Sequence, residues 1–170
     1  IDNIEDALSL VGYRKLCDLA VGLSLLEVFP TEKTVGIDYA KHWARAVCLA
    51  VAASEVAARV RADIRQDAFS GGLLQDTGSL IFSSPFPMEY GQAIGLASGK
   101  ETHIVHAEHE VLGFDHAWAA SALYNHWKLP HEMVQIVEHH HFSEFDTAVP
   151  MDIRQAVHLA NLANLIADVY

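Results

Sequence analysis

The sequence predicts an all-α fold, a compact helical bundle in one domain. Apolar residues recur at intervals of three and four through most of the chain, as in residues 13–29, where Leu16, Leu19, Leu23 and Leu26 share one face. No segment alternates convincingly between apolar and polar residues, and no repeat or linker divides the chain. One domain, residues 1–170, is the expectation for a chain of 170 residues.

The helices can be placed in order from their caps and breakers. The first covers residues 2–12, from a capping-box pattern to a glycine, and the second covers residues 13–29 and is ended by a proline. Residues 37–60 form a long Ala/Val-rich helix that is apolar over much of its circumference, so we expect it at the centre of the core. Loops are predicted at 31–36 and 83–87, and further helices at 63–75, 87–98, 101–112, 115–127, 130–141 and 151–169.

Charge and cysteine content exclude several function classes. Eleven basic against 22 acidic side chains give a net charge of −11 without any Lys/Arg cluster, which argues against nucleic acid as a partner. No apolar run approaches the roughly 20 residues of a membrane span, so no membrane association is expected. Cys17 and Cys48 lie in apolar helical patterns and are predicted to be buried thiols of a reducing, cytoplasmic compartment.

The segment from Gly72 to Gly78 is the most informative motif. Its apolar helix is expected to end at Gln75-Asp76, and Thr77-Gly78 is expected to turn the chain. A His-Asp pair at such a helix end would hold a divalent ion, whereas Gln75 offers only a neutral amide oxygen. The preceding Gly71 and Gly72 predict a close approach of two backbones.

Eleven histidines are unusually many for 170 residues. A single helical histidine is more often a surface or hydrogen-bonded core residue than a ligand. The series His103, His106 and His109 drifts around its helix and is expected to form a solvated face. The others that bear on function are His42, His116, the run His139 to His141 and His158.

Taken in order, these residues resemble the HD superfamily of metal-dependent phosphohydrolases, and more closely its HDOD branch of bacterial signalling domains. The resemblance covers nearly the whole chain in the right order and spacing. It is carried by Ile4-Glu5-Asp6-Ala7 with Val11-Gly12, His42, Ala68-Phe69, Gly72 to Gly78, Glu108, Gly113-Phe114-Asp115-His116-Ala117, Trp127-Lys128-Leu129-Pro130, His140-His141 and Val157-His158-Leu159-Ala160-Asn161.

The resemblance implies a metal site and a longer domain. In the superfamily a His, a His-Asp pair and a distal Asp bind the metal, and a further His and a His-His pair complete a second site in binuclear members. HDOD domains also carry helices before the segment that matches Ile4 to Gly12, so this chain is expected to lack the family's N-terminal helices. An apolar face would then be exposed unless a partner covers it.

The departures from the family pattern indicate a degenerate phosphohydrolase, or pseudoenzyme. Gln75 replaces the His of the pair, Asn161 replaces the distal Asp, and Ser79 stands where the phosphodiesterase branch has a Lys. Replacing a carboxylate by an amide removes a full charge from the ligand shell, so no catalytic residue is assigned. The degenerate pocket is expected to contain His42, Gln75, Asp76, His116, His140, His141 and Asn161.

Three functions follow as hypotheses. The first is a non-catalytic signal-transduction or output domain of a bacterial regulatory protein, which acts through a protein partner or fused signalling domains. The second is a metal-dependent phosphodiesterase, and the third is a domain that senses a nucleotide without cleaving it. No cofactor is expected beyond a weakly held divalent transition metal, whose ligands would be His42, Asp76, His116, His140 and His141; without it these groups would form a hydrogen-bonded polar core.

Overall fold

The computed structural model describes residues 37–100, 102–142 and 153–167, together with positions 12, 16, 20, 21, 24, 149 and 151. The helix predicted at 2–12, most of the one at 13–29 and the loop at 31–36 lie outside the described residues. The described part of the chain is helical and contains no strand, which confirms the all-α fold. Its helices are α1 (Tyr39–Val60), a 3-10 turn (Ala62–Ile64), α2 (Arg65–Leu74), α3 (Thr77–Ser83), α4 (Pro87–Lys100), α5 (Ile104–Leu112), α6 (His116–His126), α7 (His131–His139) and α8 (Arg154–Ala167).

Helix α1 contributes one buried face to the core, and its expected place at the centre of the core stays a prediction. The Asp38 carboxylate caps its N-terminus by accepting a 3.1 Å hydrogen bond from the Lys41 amide. One face of α1, with Leu49 fully buried, packs against α2 and α8. A side chain at Gly72 would lie 2.8 Å from the Leu49 carbonyl, so α2 can approach α1 this closely only with glycine there. The predicted backbone approach is therefore confirmed.

Two predictions about local structure are wrong. The chain does not simply turn at Thr77-Gly78 but starts the short helix α3 there. Cys48 is exposed, because α1 is buried on one side only and Cys48 lies with Val47 and Val51 on the other. Cys17 lies outside the described residues.

No helix in the described ranges is long and apolar enough to cross a membrane.

Candidate functional site

Four of the predicted pocket residues converge on one point. One side-chain atom each from Asp76, His116, His140 and His141 lies within 4.8 Å of the other three. His116 and His140 are buried, and the Asp76 side chain is about one-fifth exposed at 21%. Their helices are far apart in sequence, so only the tertiary fold brings these groups together.

Close packing of α3 on α6 places Asp76 beside His116. Asp76 lies in the turn that joins α2 to α3. Two residues later, Gly78 packs so tightly against the His116 backbone that a Cβ there would overlap the His116 carbonyl. The Asp76 Oδ1 atom is consequently 3.7 Å from His116 Nε2.

Glu108 fixes the orientation of the His116 ring. Gly113 adopts φ +85°, which ends α5 in a left-handed turn, and Asp115 then caps α6. This corner brings Glu108 of α5 to His116, where Oε2 accepts hydrogen bonds from the His116 amide at 3.0 Å and from Nδ1 at 2.7 Å. With Nδ1 donating to Glu108, the Nε2 atom is left to face Asp76.

His140 and His141 enter the centre from the end of α7. His140 is fully buried, and its Nδ1 donates to the Val137 carbonyl at 2.6 Å. Its Nε2 atom lies 3.3 Å from Asp76 Oδ1 and has no hydrogen-bond partner among the described residues. His141 Nε2 lies 2.8 Å from His116 Nε2. All three rings therefore present Nε2 to the centre.

The charges of these groups are strongly coupled. Burial alone would raise the pKa of Asp76, but the neighbouring His116 and His140 rings hold it well below its usual value. Burial would likewise lower the pKa of His116, but Asp76 and Glu108 outweigh burial and raise this pKa to about 10. Burial and the neighbouring histidines lower the pKa of His141, so this ring is neutral.

Gln75 belongs to an amide network on the other side of Asp76. It is fully buried, and its Nε2 donates to Asn164 Oδ1 at 2.8 Å. The same oxygen accepts a 3.3 Å hydrogen bond from Arg45. Arg45 Nε lies 3.8 Å from Asp76 Oδ2, whereas His116 and His140 lie nearest to Oδ1.

The two other predicted residues line the pocket without joining the cluster. His42 is oriented edge-on to Trp43, with ring centroids 5.5 Å apart, and in the part of the chain that the structure describes its buried Nε2 has no hydrogen-bond partner. Burial lowers the His42 pKa, although Asp76 opposes this shift. Asn161 donates to the Phe142 carbonyl at 2.7 Å and so serves the backbone after α7.

These groups surround a cavity of about 610 Å³. Its volume is within the range of small-molecule sites. It is lined by His42, Arg45, Asp76, Ser79, Tyr90, His103, Ile104, His116, His140, His141, Phe142, Asn161 and Asn164.

Sequence reasoning missed Arg45 and Asn164 and assigned Glu108 no role in the pocket. Arg45 follows His42 by three residues, which places both on one face of α1, and this spacing could have revealed it. Nothing in the sequence indicates that Asn164 meets Arg45, since 119 residues separate them. The exposed face predicted for His103, His106 and His109 is confirmed, although the His103 ring also contacts His141 at 4.9 Å between centroids.

The sequence model of the HDOD domain family matches residues 1–143. The chain belongs to the HDOD family. No curated protein matches the sequence significantly. The prediction that the family's N-terminal helices are missing stays a prediction.

Solved structures show the same fold. A provisionally assigned phosphohydrolase from Shewanella amazonensis SB2B is 23% identical with a TM-score of 0.80, over 99% of this chain and 60% of that one. An HDOD protein of unknown function from Geobacter sulfurreducens is 22% identical with a TM-score of 0.79, over 98% and 54%. A provisionally assigned signal transduction protein from Marinobacter aquaeolei VT8 is 22% identical with a TM-score of 0.74, over 91% and 34%. The chain thus spans 60% or less of the length of each.

Asp76, His116, His140 and His141 form a donor set that fits a single metal ion of the kind that the superfamily implies. Ligating histidines usually donate their second ring nitrogen to a carboxylate or carbonyl, which is what His116 and His140 do through Glu108 and Val137. Three imidazoles and one carboxylate suit Zn²⁺, Ni²⁺ or Fe²⁺. An ion held by this set would act as a Lewis acid toward bound water or phosphate.

Proposed function

We propose that this HDOD domain is a non-catalytic signal-transduction or output domain that acts through protein contacts around its degenerate pocket. The observation that carries the proposal is the amide network at Gln75. Where a hydrolytic site needs an imidazole beside the aspartate, Gln75 instead donates to Asn164, and Asn164 in turn holds Arg45 against Asp76.

The chemistry of this arrangement disfavours hydrolysis. A hydrolytic centre needs anionic ligands that hold its metal and lower the pKa of a bound water. On the Arg45 side, Gln75 and Asn164 contribute neutral amides, and the guanidinium adds a positive charge that opposes any ion there. Among the described residues, Asp76 is the one carboxylate that lines the cavity.

The surface beside the pocket has the composition of a protein contact. Trp118 on α6 is 53% exposed and its ring meets Phe114 edge-on at 5.2 Å between centroids. Both residues line a groove with Phe142, which also lines the pocket. Exposed tryptophan is rare on free surfaces and common at the centre of interfaces, so Trp118 is the residue with which to test contact.

A comparison of two variants in the full-length protein separates contact from chemistry. Trp118→Ser is expected to reduce the signalling output measured in the protein's own cell, with the thermal unfolding temperature of the purified protein unchanged. Asp76→Asn is expected to keep the output once folding has been verified. Loss of output in Asp76→Asn alone would contradict the proposal.

A second candidate, nucleotide sensing in the same pocket, is favoured by the size of the cavity and by the guanidinium that lines it. Binding of a nucleotide would raise the unfolding temperature in proportion to the logarithm of ligand concentration. A flat response across nucleoside mono-, di- and cyclic phosphates would exclude this function.

A further inference from the structure

The two oxygens of Asp76 face different partners. Oδ1 lies 3.3 Å from His140 Nε2 and 3.7 Å from His116 Nε2. Oδ2 lies 3.8 Å from Arg45 Nε. The carboxylate therefore lies between the His116 and His140 rings, near Oδ1, and the Arg45 guanidinium, near Oδ2.

Two side-chain amides, from Asn164 and Gln75, help to hold Arg45 in this position. Its guanidinium donates to Asn164 Oδ1 at 3.3 Å, and Gln75 Nε2 donates to the same oxygen at 2.8 Å. Gln75 is fully buried, so the network is anchored in the core. An arginine also stays protonated at every accessible pH, unlike a histidine or lysine.

We propose that the Arg45 guanidinium is a built-in replacement for a metal ion on the Oδ2 side of Asp76. The centre then has room for one divalent ion at most, among Asp76 Oδ1, His116, His140 and His141. An ion on the Oδ2 side would have to displace the guanidinium, beside which the described residues place the neutral amides of Asn164 and Gln75. The inference goes beyond the proposed function and is tested independently of any signalling output.

The charge of Arg45 also weakens the remaining site. The positive charge of Arg45 repels a divalent ion. It also offsets part of the negative charge of Asp76 that would attract the ion. Removal of this charge is expected to tighten binding of one ion about tenfold or more. Replacement by lysine keeps the charge and should change affinity by no more than about threefold.

Cobalt titration tests the proposal, because Co²⁺ in an imidazole site gives visible absorption bands that ions on exposed histidines in water do not match. Metal-free wild-type chain, Arg45→Met, Arg45→Lys and Arg59→Met are titrated with CoCl₂, and Asp76→Ala identifies the bands of the centre. Arg59 is the matched control, since it lies on the same helix but is 72% exposed and pairs with Glu55.

The expected result is no more than one equivalent of Co²⁺ at the centre of the wild type and tighter binding in Arg45→Met alone. Thermal unfolding supplies a second readout: metal-free Arg45→Met should unfold at a lower temperature than Arg59→Met, and Co²⁺ should restore it. Two equivalents in the wild type would overturn the proposal. An affinity of folded Arg45→Met for Co²⁺ that is equal to or weaker than the wild-type value would also overturn it. The absence of the absorption bands of the centre from both proteins would do the same.

Discussion

Replacement of Glu108 by glutamine tests whether this buried carboxylate holds His116 in place. Glu108 is fully buried, and its Oε2 accepts both hydrogen bonds from His116, while Oε1 finds no partner within the described ranges. Glu108→Gln keeps an acceptor but removes the charge and puts an NH₂ group at the unpartnered position. Loss of a charge-assisted hydrogen bond costs about 1.5–3 kcal/mol, and a buried unpaired donor adds about 1 kcal/mol or more.

The expected loss is therefore about 2.5–4 kcal/mol. For a chain of this size, 1 kcal/mol corresponds to about 2–4 °C, so the unfolding temperature should fall by about 5–16 °C. The assay is thermal unfolding followed by circular dichroism at pH 7.5. Glu132→Gln, at an exposed position in the first turn of α7, is the control and should cost no more than about 1 kcal/mol.

The raised pKa of His116 also predicts how the destabilisation by Glu108→Gln depends on pH. The His116 pKa is raised to about 10 in the folded protein, above the unfolded value of about 6.5. The resulting stability is fully present below pH ~6.5 and is lost as the pH rises through about 10. Glu108→Gln removes one of the two carboxylates that raise this pKa, so its deficit should shrink above pH 9. An unchanged unfolding temperature, or an unchanged His116 pKa by NMR, would refute the role assigned to Glu108.

Two further predictions concern packing and acid sensitivity. Gly78→Ala should prevent α3 from reaching the His116 backbone, and in a denaturant titration it should cost more than the ~1–3 kcal/mol of ordinary overpacking. Gly95→Ala, whose added Cβ would meet no atom within 4 Å, should be neutral or stabilising in the same titration. Because burial lowers the pKa values of His42 and His141, their contribution to stability is present above pH ~6.5 and lost below it, by up to about 1.4 kcal/mol per group and pH unit. His42→Gln should therefore show a smaller drop in unfolding temperature between pH 7.5 and 5.5 than the wild type, and an equal drop would show that His42 is not the source.

The long helices could be predicted because each carries its own periodicity and boundaries. The helix predicted over residues 37–60 is observed as Tyr39–Val60, and the one predicted over 63–75 as a 3-10 turn followed by Arg65–Leu74. Helix α3 could not be predicted in this way. It has seven residues and starts with Thr77-Gly78, and the contact of Gly78 with α6 determines its place. The error at Cys48 has a related cause, since an apolar pattern around most of a helix does not show which side is buried.

Only those pocket residues whose side-chain type itself indicates metal binding could be predicted from the sequence. His116, His140, His141 and Asp76 are types that bind metals, and the family pattern orders them correctly. Arg45 carries no such signal, because a lone arginine on a helix is usually a solvated charge. Its role depends on contacts with residues that follow it by 31 and 119 positions, Asp76 and Asn164, and only the fold creates these contacts.

The measurement that tests the account most directly is phosphodiester hydrolysis by the metal-loaded chain. Purified protein is incubated with Mn²⁺, Fe²⁺ or Ni²⁺ and with bis(p-nitrophenyl) phosphate or a cyclic dinucleotide, beside Asp76→Ala prepared identically. A non-catalytic domain predicts the same background rate for both proteins with every metal. A metal-dependent rate in the wild type that Asp76→Ala abolishes would contradict the account.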